Sequence, residues 1–111
     1  MNIQIFGRSK CFDTKKAERF FKERRIKYQY IDLDRYGMSL GELKSVLASV
    51  GGLDGLLDQK NPDSGAVKYL SPEEARLGAL LDDPKLIRTP VVRNGRKATV
   101  GYAPEVWEKF E

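Results

Sequence analysis

Cys11 is the only cysteine in a sequence of 111 residues that contains no histidine. Those two facts narrow the chemistry. A Cys–His nucleophile pair is excluded, and so is any histidine metal ligand. What remains is a thiol, which reacts as the thiolate and therefore depends on what lowers its pKa. Ser9, Asp13 and Thr14 around it are turn and capping types, so Cys11 falls at or just before a helix N-terminus. Unpaired backbone N–H groups there stabilise a thiolate and pull the pKa below the roughly 8.5 of a free thiol. Arg8, Lys10 and Lys15 are close in sequence and act in the same direction. A free cysteine is often a small buried hydrophobe. A position after a first strand, before a helix and among cations favours the reactive role.

The elements that must hold Cys11 follow from the apolar pattern. Residues 2–6 (NIQIF) alternate as a short strand does. Ala17, Phe20 and Phe21 supply the buried face of a helix running to about Arg25, and residues 27–33 (KYQYIDL) read as a second strand. Strand, helix and strand make a βαβ unit with parallel strands and a right-handed crossover. Ser39 with Glu42 is a capping-box pattern opening a helix whose apolar face is Leu40, Leu43, Leu47 and Val50. Gly51-Gly52 ends it, and Leu53, Leu56 and Leu57 suggest a further short helical turn. Residues 61–65 (NPDSG) have loop composition. Ser71-Pro72-Glu73-Glu74 predicts a helix capped by Ser71 with Pro72 at its first position and Leu77, Leu80 and Leu81 buried. Residues 89–93 and 97–100 then form an antiparallel hairpin about Asn94-Gly95 as a type I′ turn. A final helix over about 103–110 presents Val106, Trp107 and Phe110. The order is β-α-β, a helical insertion at about 38–83, then β-β-α, in a single domain over 1–111.

Composition sets the outer limits. The 41% hydrophobic and 32% charged content, with mean hydropathy −0.51, is that of a globular domain, and no apolar run approaches the roughly 20 residues a membrane helix needs. No secretory leader is read at the N-terminus. A lone free thiol belongs in a reducing compartment, so a cytoplasmic location is expected. The net charge is +4, but residues 1–28 carry nine cationic side chains against three acidic ones. That field favours a thiolate or an anionic substrate. Direct nucleic-acid binding is not expected, because aromatics are not interleaved with the cations on a strand platform. Trp107 and Phe110 read as core, Tyr28, Tyr30 and Tyr36 as cover for the sheet edge. Asp54, Asp58 and Asp63 read as solvated, since no glycine-anchored calcium pattern surrounds them, and no metal site is expected.

The segment C-F-D-T-K-K-A from Cys11, the R-T-P-V-V strand from Arg88 and V-G-Y-A-P-E-V-W from Val100 resemble, in joint order, the arsenate reductase family that includes ArsC and Spx. The lysine-lysine-alanine helix entry is similar to that of YffB-type members. The resemblance covers essentially the whole chain. It implies an α/β, thioredoxin-like fold with a central mixed four-stranded sheet, and Cys11 as the nucleophile. It also implies that Thr89-Pro90 is a cis-proline turn facing that cysteine.

The family's arsenate reductases hold their oxyanion with three arginines, and here those places read differently. The leucine-leucine-arginine segment of the insertion is Leu56-Leu57-Asp58, Thr89 directly precedes the proline, and the third place falls around Tyr102. An aspartate would repel an oxyanion. Lys60, Arg88 and Arg93 are the cations left to substitute, and alternation along a strand prevents all of them from facing one site. Thr89-Pro90 resembles the threonine-proline turn with which glutaredoxins hold glutathione. Thr14 stands where Spx-like regulators and thioredoxins have a second cysteine, so an external thiol must complete any disulfide cycle.

The resulting expectation is a monothiol oxidoreductase with Cys11 catalytic and Lys10, Thr14, Lys15, Arg88, Thr89 and Pro90 binding substrate or stabilising the thiolate. No tightly bound cofactor is expected. Glutathione or another small thiol, or a glutaredoxin- or thioredoxin-like protein, would be the reductant. The alternative is an Spx-like regulator that binds RNA polymerase without catalysis, using Gly51-Gly52 and the surrounding insertion as its contact surface.

Overall fold

A computed structural model describes residues 1–110; the final residue of the expected 1–111 domain lies outside them. Four strands form one mixed sheet in the order β2-β1-β3-β4. Strand β1 (Ile3–Gly7) runs parallel to β2 (Tyr28–Asp32), with Ile3 opposite Tyr28, and antiparallel to β3 (Val91–Asn94). Strand β3 pairs in turn with β4 (Lys97–Val100). The side-chain period of two splits the core between the two faces of this sheet. Ile3, Ile5 and Val92 join Ala17, Phe20, Phe21, Trp107 and Phe110 on one side. Phe6 and Val91 join Leu33, Leu43, Val46, Leu56, Leu80 and Ile87 on the other. Each large side chain buried this fully contributes roughly 1.5–3 kcal/mol. Helices thus cover both faces, with α1 (Phe12–Glu23) on the first and the segment between β2 and β3 on the second.

That segment holds α2 (Leu33–Tyr36), α3 (Leu40–Val50), α4 (Ser64–Lys68) and α5 (Glu73–Asp82), with 3-10 turns at Asp54–Leu56 and Pro84–Leu86. The capping box at Ser39 and Glu42 is present, with bonds of 3.1 and 2.9 Å, and Gly51 closes α3 in the left-handed region at φ 81°. Its buried face is Leu43 and Val46, whereas Leu40 is exposed.

Several local expectations are corrected. Pro72 has an extended ψ of −176°, which puts it outside α5, so it occupies the capping position and Ser71 makes no cap; the Ser71–Pro72 bond is cis. Helix α1 stops at Glu23 because Arg25 turns into the left-handed region at φ 57°, and Ile26 N–H bonds back to Phe21 O at 2.9 Å. Residues 61–65 are not all loop. An Asx turn, Asp63 N–H to Asn61 Oδ1 at 2.9 Å, leads directly into α4, which buries Val67. Asn94 pairs with Lys97, so the hairpin's central residues are Gly95 and Arg96. Only Gly95 has positive φ, at 61°, which is the II′ pattern and not I′. The last helix, α6, spans Pro104–Trp107 and then tightens into i→i+3 bonds at Lys109 and Phe110. Trp107 and Phe110 are buried as expected, but Val106 is exposed.

Candidate functional site around Cys11

Cys11 is itself the N-cap of α1, with extended φ and ψ of −93° and 117°. Two packing features fix its position. Gly7, at the end of β1, has no side chain because a Cβ there would overlap Thr14 Cγ2 and stand 2.9 Å from Thr14 Oγ1. The first turn of α1 can therefore lie flat on the strand, and Thr14 is only 1% exposed. On the other side the Thr89–Pro90 bond is cis, Pro90 is buried, and the Thr89 carbonyl accepts from Cys11 Sγ at 3.6 Å.

Partial burial pushes the Cys11 thiol up, as desolvation of a charge must, but hydrogen bonds that favour the thiolate outweigh it. The Thr14 hydroxyl, the Thr89 hydroxyl and the backbone N–H groups of Thr14 and Asp13 together hold its pKa below that of an ordinary thiol. None of these groups is a cation. The groups that lower the pKa are hydroxyl and backbone donors.

A cleft of about 340 Å³ opens in front of the sulfur, lined by Arg8, Lys10, Cys11, Phe12, Asp13, Asp58, Lys60 and Thr89. A smaller recess of about 170 Å³ adjoins it and brings Arg88 to the same group. Lys10, Thr14, Arg88, Thr89 and Pro90 are thus gathered near Cys11. Lys15 is not: its Nζ lies 6.0 Å from the ring centroid of Phe12, on the solvent side of the helix, and it lines neither recess. Arg93 bonds Gly95 O and lies 3.7 Å from Glu42, away from the cleft. Tyr102 packs edge-on to Trp107 at 5.5 Å and lines a separate groove with Lys16 and Arg24. Asp58 is not a solvated loop residue. It lines the cleft and lies 4.0 Å from Arg8.

Arg8 is the residue that sequence reasoning undervalued. Its side chain is 16% exposed and bonds Asp34 at 2.9 Å, Pro84 O at 2.7 Å, Ile87 O at 2.8 Å and Thr89 Oγ1 at 3.5 Å. Its own N–H meets Thr14 Oγ1 at 3.5 Å. Its acceptors lie 26 to 81 residues away, so no local pattern announces them. Among the described residues no group of three or more cysteines, aspartates or glutamates is arranged to hold a metal ion, and no helix is long and apolar enough to cross a membrane.

A four-stranded mixed sheet with a cysteine capping the first helix opposite a cis-proline defines a thioredoxin-like fold. The structural comparisons agree. The fold matches an arsenate reductase from Vibrio cholerae with a TM-score of 0.87 at 22% identity, over 100% of this chain and 98% of that one. It matches the glutaredoxin-like NrdH-redoxin of Escherichia coli with a TM-score of 0.54 at 17% identity, over 100% and 96%. Within that class the chain belongs to the ArsC family, whose family model matches residues 6–110. A curated relative, the global transcriptional regulator Spx 2 of Oceanobacillus iheyensis, is 28% identical over 115 residues, covering 99% of this chain and 84% of that protein.

Proposed function

We propose that this chain is a cytoplasmic monothiol oxidoreductase of the ArsC family, with Cys11 as its nucleophile. The observation that carries the reading is the set of donors around the sulfur. Two threonine hydroxyls and two helix N-terminal N–H groups favour the thiolate, and the sulfur opens onto a cleft. The thiolate attacks one sulfur of an oxidised disulfide, forming a bond from Cys11 to that sulfur and expelling the other half as a thiolate. Thr14 supplies no second thiol, so an external thiolate attacks the Cys11-linked mixed disulfide, releases Cys11 and leaves as the new disulfide. Electrons pass from the external thiol to the oxidised substrate, and Cys11 returns to its starting state. Glutathione is our choice for the external role, because the Thr89-Pro90 turn resembles the one with which glutaredoxins hold its peptide-like backbone. A glutaredoxin- or thioredoxin-like protein could serve the same step.

Arsenate is not the proposed substrate. The carboxylate of Asp58 lines the cleft where an oxyanion would need a cation, and Arg8, the nearest guanidinium to it, is already bonded to Asp34 and three other oxygens. The test is intact mass after incubation with oxidised glutathione. A single glutathione adduct on the native chain, absent from Cys11→Ser and removed by reduced glutathione, supports the cycle. No adduct on the native chain rejects it.

The relative that is a transcriptional regulator supports a second reading, an RNA polymerase-binding protein. Gly51 and Gly52 have positive φ, at 81° and 142°, and a Cβ at either would meet nothing within 4 Å, so this corner of the insertion is open for contact. Capture of RNA polymerase that survives Cys11→Ser would favour that role.

A further inference from the structure

We propose that Lys60 and Arg88 form an anion-recognising edge on the Cys11 cleft, with Gly101 as the seat of the Arg88 guanidinium, so that Cys11 reacts preferentially with small disulfides bearing carboxylates. The inference rests on the reading of Cys11 as the reacting thiol and adds the charge class of its substrate.

Charge pairing around the cleft is uneven. Asp58 lies 4.0 Å from Arg8, whose closer partner is Asp34 at 2.9 Å, and Asp13 has Lys16 at 3.9 Å, so one carboxylate of the cleft is only partly compensated. Among the described residues Lys10, Lys60 and Arg88 have no carboxylate within 4.0 Å, yet all three line the recesses that contain Cys11. The cleft therefore faces solvent with a positive excess that the protein does not itself satisfy. Uncompensated cations at a cleft mouth raise the local concentration of anions and speed their encounter.

The backbone segments that carry Lys60 and Arg88 are joined to each other. Arg88 N–H bonds Leu56 O at 2.8 Å and Asp58 N–H bonds Leu86 O at 2.8 Å, so the stretch leading to Lys60 is zipped beside the stretch carrying Arg88. Gly101 supplies the room. Its N–H bonds Pro90 O at 2.8 Å, which brings it under Arg88, and a Cβ there would stand 2.7 Å from Arg88 Nη2 and 3.0 Å from its Cζ. Gly101 also has φ +82°, a conformation other residues adopt with strain. The guanidinium thus lies across Gly101, and a side chain there would oblige it to shift.

The step is the one already balanced. The Cys11 thiolate attacks a disulfide sulfur, a new S–S bond forms, and the leaving half departs as a thiolate. The carboxylates of that disulfide are what Lys60 and Arg88 attract.

The experiment measures the rate at which the native chain, Lys60→Gln, Arg88→Gln and Gly101→Ala consume three disulfides. These are the dianionic 5,5′-dithiobis(2-nitrobenzoate), the neutral 2-hydroxyethyl disulfide and the dicationic cystamine. The expected result is a native preference in the order anionic, neutral, cationic after correction for each reagent's reactivity with free cysteine. The anionic-to-cationic rate ratio should fall by about fivefold in either glutamine variant, and the preference should shrink as salt shortens the Debye length to about 3 Å at 1 M. Gly101→Ala should reduce the same ratio, and its result counts only with a native circular dichroism spectrum. The glutamine variants, on exposed side chains, decide the matter if it misfolds. An unchanged ratio in both glutamine variants overturns this inference alone. Failure of the native chain to react with any of the three overturns the reading of Cys11 beneath it.

Discussion

The Arg8 guanidinium meets the hydroxyl oxygen of Thr89 at 3.5 Å, so that hydroxyl accepts from Arg8 and keeps its proton for Cys11. The Arg8 backbone N–H does the same to Thr14 Oγ1, also at 3.5 Å. One residue thus orients both hydroxyls that favour the thiolate.

Arg8→Gln should therefore lose more than a charge. It frees Asp34, Pro84 O and Ile87 O from their charged donor, at a cost of about 2–3 kcal/mol, read as a lower midpoint in urea unfolding. Arg8→Lys should recover little of this, because an ammonium cannot span the four acceptors that the fork reaches.

Thr14→Val removes one donor from the sulfur while preserving shape. The Cys11 pKa should rise, read from the pH dependence of its alkylation, because a hydrogen bond that favours the charged form is lost. The same logic sets the pH dependence of stability. The folded-state pKa of Cys11 is depressed, so its contribution is fully present above the unfolded value and is lost as pH falls through the folded value. The stability advantage of the native chain over Cys11→Ser should grow between neutral pH and pH 9, measured by denaturant unfolding at each pH.

Gly7→Ala should disrupt the site through packing. The added methyl meets Thr14 on a helix packed against β1, so the first turn of α1 must move away from the strand. Overpacking of this kind costs typically 1–3 kcal/mol. The alkylation rate of Cys11 at neutral pH should fall together with stability.

Tyr28 gives a check far from the cleft. Burial and the 3.0 Å bond it donates to Glu18 push its phenol up to about 12. Because the neutral form is favoured in the fold, this contribution is present below the unfolded value of 10 and lost as pH rises through about 12. Glu18→Gln should bring the phenol's titration, followed by absorbance at 295 nm, back toward 10.

Local patterns carried much of this structure into the sequence. The capping box at Ser39 and Glu42, the glycine stop at Gly51 and the alternation of Ile3 and Ile5 are interactions between near neighbours, and each is visible in a short window. The place of Cys11 before a helix was legible for the same reason. What was not legible depends on pairing between distant segments. Asn94 looked like a turn residue until its partner Lys97 moved the turn by one position. Asp58 looked solvated until the strip at 86–88 brought Arg8 beside it. Lys15 is four residues from Cys11, but the helix carries it to the side of Phe12, whereas Thr89, 78 residues away, touches the sulfur.

The most direct test of the account is a pH titration of thiolate absorbance at 240 nm on the native chain, with Cys11→Ser subtracted to remove the tyrosines. The account predicts a single transition with a midpoint below that of the same thiol in the urea-unfolded chain, matched by the pH dependence of iodoacetamide alkylation. A midpoint at or above that of the unfolded chain would contradict it, because the threonine hydroxyls and helix N–H groups would then not be holding a thiolate at Cys11.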